Sequence, residues 1–491
     1  MEDMMLKLSV SGTCTKIVGR ILVTERSCEH MPHTEGALTK GPILNVLARL
    51  ALPIMASAFL STAYSIMDMA WVGQLGGEVL AGVGVGSMYI WMSQGVVTLP
   101  RMGGQVYMAQ ELGRGNRKEA QAYAAAAVQL CVILGIFFGL VCGFLTEPLV
   151  SFFQLEHQDA VNAAHIYIKI ACGWILFSFL GLVLTGLYTA QGDSKTPLKA
   201  NFTGLMLNML LDPVLILGLG PFPALGAAGA AIATVLSQMI VVGVLVAGMR
   251  LDKSEANVLR SVNYIRKIEA SYMKRVCLIG GPSAIQGIVY CMISMLLSRM
   301  AGIFGDIAIA VLRVGGQVES ISWNVANGFS SAMNAFAAQN YGAGKMGRVR
   351  KGYRISVVSV LVWGGLISVV FLLFPREISR IFFHQPDEIA ISSHYLMIIG
   401  LGEAFMCLEL MSVGAISGLG NTKLCSIISI TFTAIRLPIA WILSKTALGS
   451  DGIWWAFTIS SVLKGLIFWK AFYVEASKKE RFLHENSLIG K

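Results

Sequence analysis

Three polar side chains lie inside long apolar runs: Asp68 in one run, and Asn208 and Asp212 in another. A carboxylate inside a membrane helix costs about 2.5–3.5 kcal/mol on insertion scales, so its presence needs a reason. Asn208 and Asp212 are four residues apart and share one helix face, on which they can converge with Asp68 from a neighbouring helix. Burial favours the neutral acid, whereas an adjacent cation favours the carboxylate. The three residues therefore predict a site for H⁺ or, as metal ligands, for Na⁺.

Both acids also have a purely structural explanation. Asp212 precedes Pro213 and could cap a helix that breaks there, and Asp68 could bond to a neighbouring backbone group. Replacing Asp68 by Asn keeps the shape of the side chain and removes its titration, so this substitution separates the two explanations.

The second half of the chain carries its own intramembrane charges: Arg313, Glu319, Glu403, Glu409 and Arg436. Because unpaired charges in lipid are costly, we expect these residues to form ion pairs within that half or to line a substrate cavity. Glu319 and Glu409 are candidate contacts for a cationic substrate. Aromatic rings suit cation–π contact with such a compound. The aromatic candidates for the same cavity are Tyr64, Tyr290 and Trp323.

The elements that hold these residues must be membrane helices. Charged residues make up 13% of the 491 and hydrophobic ones 55%, whereas soluble domains contain about 25% charged residues. Continuous apolar runs of about 20 residues recur along the chain, which is typical of helices rather than of barrel strands. The sequence therefore predicts an all-α integral membrane protein with twelve spans. They are 46–74, 79–109, 120–145, 163–190, 199–219, 225–249, 272–301, 306–337, 354–374, 390–418, 424–445 and 451–474.

The net charge of +10 follows the predicted topology. Lys and Arg crowd the loops on one side, around 114–118, 195–199, 250–275 and 345–351. The positive-inside rule then places both termini in the cytoplasm of a cell whose membrane the chain crosses many times. Nucleic-acid binding is not supported, because the basic residues form no face interleaved with aromatics.

Landmarks recur at a nearly constant distance along the chain. Such repetition predicts two six-helix lobes of the same orientation, related by a pseudo-twofold axis along the membrane normal. The paired landmarks are Pro53 with Pro282 and Gln110 with Gln339, both 229 residues apart, and Gly192 with Gly420, 228 apart. The predicted organisation is a cytoplasmic N-terminal segment 1–41, a first lobe 42–250, a cytoplasmic linker 251–271, a second lobe 272–474 and a cytoplasmic tail 475–491.

Short motifs at helix ends accompany the repeat. They are Leu50–Ile54, Asp68 with Trp71–Gly76, Gln110–Gly115, Gly192–Pro197, Asn208–Pro213, Gly226–Ala231 and Gln339–Gly344. In this order and spacing the motifs resemble those of the multidrug and toxic-compound extrusion (MATE) transporters, over about 42–474.

The resemblance implies two lobes in a V that open alternately to either side, and exchange of H⁺ or Na⁺ for organic, often cationic and amphiphilic compounds. It implies no cofactor beyond the coupling ion, small organic compounds and lipids as partners, and a functional monomer. In the family, the residues matching Asp68, Asn208 and Asp212 form the cation site of the first lobe. The polar candidates that complete it here are Tyr167, Thr185 and Thr234.

The second lobe lacks this site. The positions that correspond to Asp68 and Asp212 are Leu297 and Leu437. Ionic coupling is therefore predicted for the first lobe alone.

Other functions are less well supported. A flippase of lipid-linked saccharides from the same broad superfamily usually has fourteen helices. A membrane-embedded transferase would need His, Asp or metal-binding acids clustered at one membrane face, and the nine cysteines and seven histidines form no such pattern. We expect a transporter and not an enzyme.

Residues 1–30 are polar and precede a natural start at Met31. We expect this segment to be an extension without a role in transport. A chain beginning at Met31 should transport at the rate of the full-length chain in vesicles, and a clear loss would refute this expectation.

Overall fold

A computed structural model describes residues 37–153, 155, 157–219, 223–254, 257–264 and 268–489. Every regular element in these ranges is helical, in agreement with the predicted fold class. The proposed extension 1–30 lies outside the described residues.

The first half contains eight α-helices. Six spans result, because α4 has only 6 residues and α5 continues through a π-helical turn, Ile168–Cys172, into α6. The helices are α1 Ile43–Gly73, α2 Gly77–Arg114, α3 Arg117–Phe144, α4 Thr146–Ser151, α5 Gln158–Tyr167, α6 Leu176–Gln191, α7 Lys195–Leu217 and α8 Ala227–Leu251.

The second half repeats the pattern with nine helices. They are α9 Ala270–Gly302, α10 Asp306–Gly342, α11 Met346–Leu373, α12 Pro375–Phe382, α13 Pro386–Gly400, α14 Glu403–Gly418, α15 Thr422–Ala434, α16 Arg436–Ser444 and α17 Asp451–Ile489.

The number of spans agrees with the sequence. Among the described residues, nine straight segments are long and apolar enough to cross a membrane, and the bent pairs α5–α6 and α13–α14 raise the number to eleven. The twelfth is α10, a helix of 37 residues that is too polar to count among these eleven. The twelve predicted spans are thus present. The last helix continues beyond the predicted end at 474, to Ile489.

The two bent spans occupy corresponding places in the halves. The first turns by 45° after Cys172 and the second by 50° after Gly400, each with a glycine in the break. The sequence predicted each of these as one continuous span, 163–190 and 390–418. The bends arise because Gly173 and Gly402 leave the helix ladder locally weak, since glycine is the least restrained residue in a helix interior.

Contacts between the halves follow the pseudo-twofold axis. Gln105 Nε2 donates to Asn334 Oδ1 at 3.0 Å, and these residues are 229 apart, so each meets its own counterpart. Nearby, a Cβ on Gly113 would lie 2.0 Å from the carbonyl oxygen of Gln339, and a Cβ on Gly342 would lie 2.0 Å from that of Gln110. Helices α2 and α10 therefore cross at the axis, at a separation that only glycine permits.

The halves are joined most closely at the end of the bundle that holds Gly115 and Gly344, which we call the linker side. There Gln110 Nε2 donates to the Gly418 carbonyl at 3.0 Å, and Gln339 Nε2 donates to the Ala190 carbonyl at 2.7 Å.

The opposite end is the far side, and the halves separate toward it. Within the described residues, the hydrogen bond between the halves that lies nearest to the far side joins Asn324 Nδ2 to Thr62 Oγ1, at 3.0 Å. The structure is thus closed at the linker side.

The described part of the connection between the halves packs on the first half. Val258 and Leu259 are buried, Asn257 Nδ2 donates to the Met249 carbonyl at 2.9 Å, and Gln129 Nε2 donates to the Tyr264 carbonyl at 3.0 Å.

The close crossing of α2 and α10 can be tested by adding a methyl group at Gly113. Gly113→Ala should destabilise the protein by about 1–3 kcal/mol, because the added methyl group must displace the backbone at Gln339. Gly84→Ala on the same helix is the control, because a Cβ there has nothing within 4 Å. Thermal unfolding of the purified variants in detergent measures the difference, and equal midpoints would contradict the close crossing.

Candidate functional site

Helices α1, α7 and α8 bring the predicted acids together toward the far side. Asn208 and Asp212 lie on the buried face of α7, at 1% and 0% exposure. Helix α8 approaches α7 closely, because Gly229 has no side chain: a Cβ there would lie 2.3 Å from the Leu215 carbonyl oxygen. Helix α7 continues through Pro213 to Leu217, so Asp212 does not cap a broken helix.

A chain of hydrogen bonds joins the three helices. With its amide oriented to satisfy both neighbours, Asn208 donates to Asp212 Oδ2 at 2.8 Å and accepts from the Thr234 backbone N–H at 3.3 Å. The Thr234 hydroxyl lies 3.1 Å from that of Tyr64 on α1. Asn208 thus holds the Asp212 carboxylate at Oδ2, and Thr234 in turn holds Asn208.

Asp68 lies beside this network with unused bonding capacity. Its Oδ1 atom is buried and has no hydrogen-bond partner among the described residues. Asp68 interacts electrostatically with Asp212, Tyr64 and Tyr167. A buried acceptor without a donor is costly, and a proton or a small cation would supply what it lacks.

The donors around Asp68 are suited to a hard cation. Within the described part of the chain, no three His, Cys, Asp or Glu side chains are placed to hold a metal ion. The cluster instead combines two carboxylates with amide and hydroxyl oxygens. Oxygen ligands of this kind suit small hard cations, and the same carboxylates suit a proton.

Most of the residues predicted for the cation site meet here: Asp68, Asn208, Asp212, Tyr167 and Thr234. Tyr64, which the sequence assigned to the substrate cavity, lies in this cluster instead.

Thr185 does not join the cluster. It lies on α6, 18 residues beyond Tyr167, which corresponds to about 27 Å along a helix. Its neighbour Gly186 packs against Arg101 and Gln105, toward the linker side. The prediction failed because it selected a polar residue on the correct span without considering its depth.

Among the residues of the second half that the structure describes, no counterpart of this cluster is found. Leu297, at the position of Asp68, is fully buried. The buried charges of this half surround a different cavity, of about 520 Å³, which we call the charged cavity. Its wall is formed by α9, α10 and α13–α17, with Trp91 from α2.

In the charged cavity, Glu409 forms an ion pair with a residue that was not predicted. Glu409 lies 2.8 Å from Lys464 Nζ of α17, and both side chains are buried. Lys464 was not predicted, although a lysine in the middle of an apolar span indicates a functional or paired charge. Arg313, predicted among the paired or cavity charges, is exposed on α10 and does not line this cavity.

The other charged groups of the cavity form no direct ion pair among the described residues. Arg436 Nη2 donates to Ser461 Oγ at 3.4 Å, and its guanidinium lies 4.9 Å from the Phe457 ring centre. Both carboxylate oxygens of Glu403 are buried without a hydrogen-bond partner. Of the predicted cavity residues, the lining includes Glu319, Glu409, Tyr290 and Trp323.

Comparison with known proteins agrees with the repeat. The MatE family model matches residues 53–214 and again 282–442, so its two matches begin 229 residues apart. A probable multidrug resistance protein NorM of Thermotoga maritima is 31% identical over 415 residues, covering 83% of this chain and 87% of the relative. A FAD transporter of Shewanella oneidensis is 25% identical, covering 87% and 94%.

Solved structures share the fold. An outward-facing multidrug resistance MATE family transporter of the MOP superfamily has a TM-score of 0.82 at 21% identity, covering 91% of this chain and 99% of that one. A MOP superfamily transporter from Pyrococcus furiosus, described as having a binding pocket of reverse polarity, also has a TM-score of 0.82, at 20% identity, covering 91% and 98%.

The buried ion pair predicts a characteristic pattern of stability. Lys464→Met should destabilise the protein by about 3–5 kcal/mol, because it leaves the Glu409 carboxylate buried without its cation. The double variant Lys464→Met/Glu409→Gln should recover most of this loss. Unfolding of the two single variants and the double variant in detergent gives the coupling energy. Additive losses would show that the pair does not interact.

Proposed function

The chain belongs to the multidrug and toxic-compound extrusion (MATE) family, and on that premise we propose that it is a secondary active antiporter. It exports organic, often cationic and amphiphilic compounds in exchange for H⁺ or Na⁺. The family membership itself makes the protein a multi-pass membrane transporter that binds small organic compounds, rather than an enzyme.

One observation carries the proposal of coupling: the buried Oδ1 atom of Asp68 has no partner, beside an Asp212 carboxylate that is already held by Asn208. A purely structural acid would be satisfied by its neighbours. An acid that must bind and release a cation needs one coordination position free. Asp68 is therefore the primary cation ligand, and Asp212 adds the charge that draws the cation in.

The division of the charges between the halves supports separate roles. The first half holds the cation cluster around Asp68, and the second half holds the charged cavity, whose size suits a drug-sized compound. In the proposed cycle a cation from the far side binds Asp68 and favours the state that releases the exported compound. When one ion exchanges for a compound without net charge, one charge moves inward and a membrane potential of ~150 mV supplies about 3.5 kcal/mol. That energy sustains a concentration ratio of a few hundred. Exchange for a monocation moves no net charge and is driven by the concentration gradient of the ion alone.

The orientation completes the proposal. Basic residues lie at or beside the helix ends on the linker side, among them Arg114, Lys195, Arg250 and Lys345. We therefore place the linker side and both termini in the cytoplasm of a cell-membrane protein. The far side, toward which the halves separate, then faces outward. The protein works as a monomer surrounded by lipid, since each half supplies one of the two sites.

Replacement of either acid should uncouple transport. Asp68→Asn and Asp212→Asn should each lower gradient-driven efflux by about tenfold or more, which is within the usual range of coupling between two sites. The measurement is efflux of a fluorescent organic cation from vesicles, with a pH gradient and a Na⁺ gradient imposed separately. Asp159→Asn is the matched control, because Asp159 is an exposed acid of the same half.

The two gradients identify the coupling ion. Efflux driven by only one of them assigns that ion. Efflux by Asp68→Asn at the wild-type rate under both gradients would refute the coupling role of Asp68.

A further inference from the structure

The charged cavity contains buried groups of both signs that do not neutralise one another directly. Lys464 is paired with Glu409 at 2.8 Å. The remaining charged groups of the lining are Glu319, Glu403 and Arg436. No ion pair within 4.0 Å joins any two of these three in the described part of the chain.

Arg436 is a guanidinium with most of its donors unused. The residue is 5% exposed, its Nε has no hydrogen-bond partner among the described residues, and Nη2 reaches only Ser461 Oγ at 3.4 Å. The Phe457 ring, 4.9 Å from Cζ, holds the group in place. An arginine presents five donors in a planar fork that matches a carboxylate or phosphate. Arg436 is one of the residues that line the cavity.

Glu403 offers the opposite charge in the same cavity. The residue is 1% exposed, and neither carboxylate oxygen has a hydrogen-bond partner among the described residues. Ser322 is the polar side chain beside it. Glu319 also lines the cavity and interacts electrostatically with Glu403 and with Arg436. The acidic side of the cavity is thus formed by two carboxylates, and the basic side by Arg436.

Unpaired buried charges of opposite sign select the chemistry of a ligand. A proton or a simple cation satisfies the acidic side only, and a single positive charge is repelled by Arg436. A compound that carries a cationic and an anionic group gives Arg436 an anionic partner and one of the two carboxylates a cationic partner at once, whereas a monocation leaves Arg436 without a partner. The rings of Tyr290, Trp323 and Phe457 supply apolar surface for its body.

We propose that the charged cavity binds zwitterionic amphiphiles, with their anionic group on Arg436 and their cationic group on Glu403 and Glu319. The proposal rests on the exporter function above and specifies the class of compound that the exporter prefers. Lys464 contributes indirectly, because it neutralises Glu409 and leaves Arg436 available to the ligand.

A pair of dyes that differ in one carboxylate tests this proposal. Tetramethylrhodamine is a zwitterion, whereas its methyl ester carries the same ring system as a monocation. Binding of each dye to the full-length protein in detergent can be measured by fluorescence polarisation. The wild-type protein should bind the acid about tenfold more tightly than the ester, as expected for one charge-assisted hydrogen-bonded contact. Equal affinities, or tighter binding of the ester, would overturn the proposal.

Variants of Arg436 assign the effect to this residue. Arg436→Gln should reduce the ratio of the two affinities to near one, and Arg436→Lys should retain part of the preference. Arg354→Gln is the matched control, because Arg354 is an exposed arginine of the same half outside the cavity. A wild-type ratio in Arg436→Gln would overturn the proposal. A loss of both affinities in Arg436→Gln and Arg436→Lys alike, with lowered unfolding midpoints, would show a structural role and count against it.

The test separates this inference from the proposed antiport. If the wild-type protein exports the ester under an ion gradient but prefers it to the acid, the zwitterion preference is wrong and the antiport stands. If neither gradient drives export of either dye while the acid still binds more tightly through Arg436, the antiport is wrong and the binding site stands.

Discussion

The cost of holding a charge in the interior of a membrane is the constraint on which this structure depends. Each half meets it differently. In the first half, Asn208 donates a hydrogen bond to Asp212, and one buried oxygen of Asp68 is left without a partner among the described residues. In the second half, Lys464 neutralises Glu409, and the cost is left at Arg436 and Glu403. Asp68, Arg436 and Glu403 therefore each have a buried polar atom that a ligand of opposite charge would satisfy.

The two halves therefore share a helix arrangement but differ in the buried side chains that form their sites. Gln105 bonds to its own counterpart Asn334 across the axis, and the two bent spans break at corresponding places. At the position of Asp68, however, the second half has Leu297, fully buried in an apolar core. A symmetric frame with unlike sites allows one half to bind the coupling ion while the other half binds the cargo, as exchange requires.

The sequence predicted the frame well because hydropathy and repetition are local signals. It identified even the more polar α10, whose apolar run 306–337 was predicted as one of the twelve spans. It predicted Asn208 and Asp212 together because a spacing of four fixes one helix face. It failed for Thr185 and Arg313, since neither the depth of a residue nor the direction of its face toward a neighbouring helix is a local property. The partner of Glu409 was missed because Lys464 is distant in sequence.

A hydrogen bond between α1 and α10 joins residues that are close in sequence to both sites. Asn324 of α10 donates to Thr62 of α1 at 3.0 Å; Thr62 is two residues from Tyr64 of the cation cluster, and Asn324 follows Trp323 of the charged cavity. Helix α1 also carries Asp68, and α10 also carries Glu319. Alternating access requires that ion and cargo bias the same two-state element. A cation that shifts α1 at Asp68 changes its fit against α10, and a compound bound against α10 changes the position of α1 by the same free energy. The α1–α10 contact is therefore the element on which the proposed exchange depends.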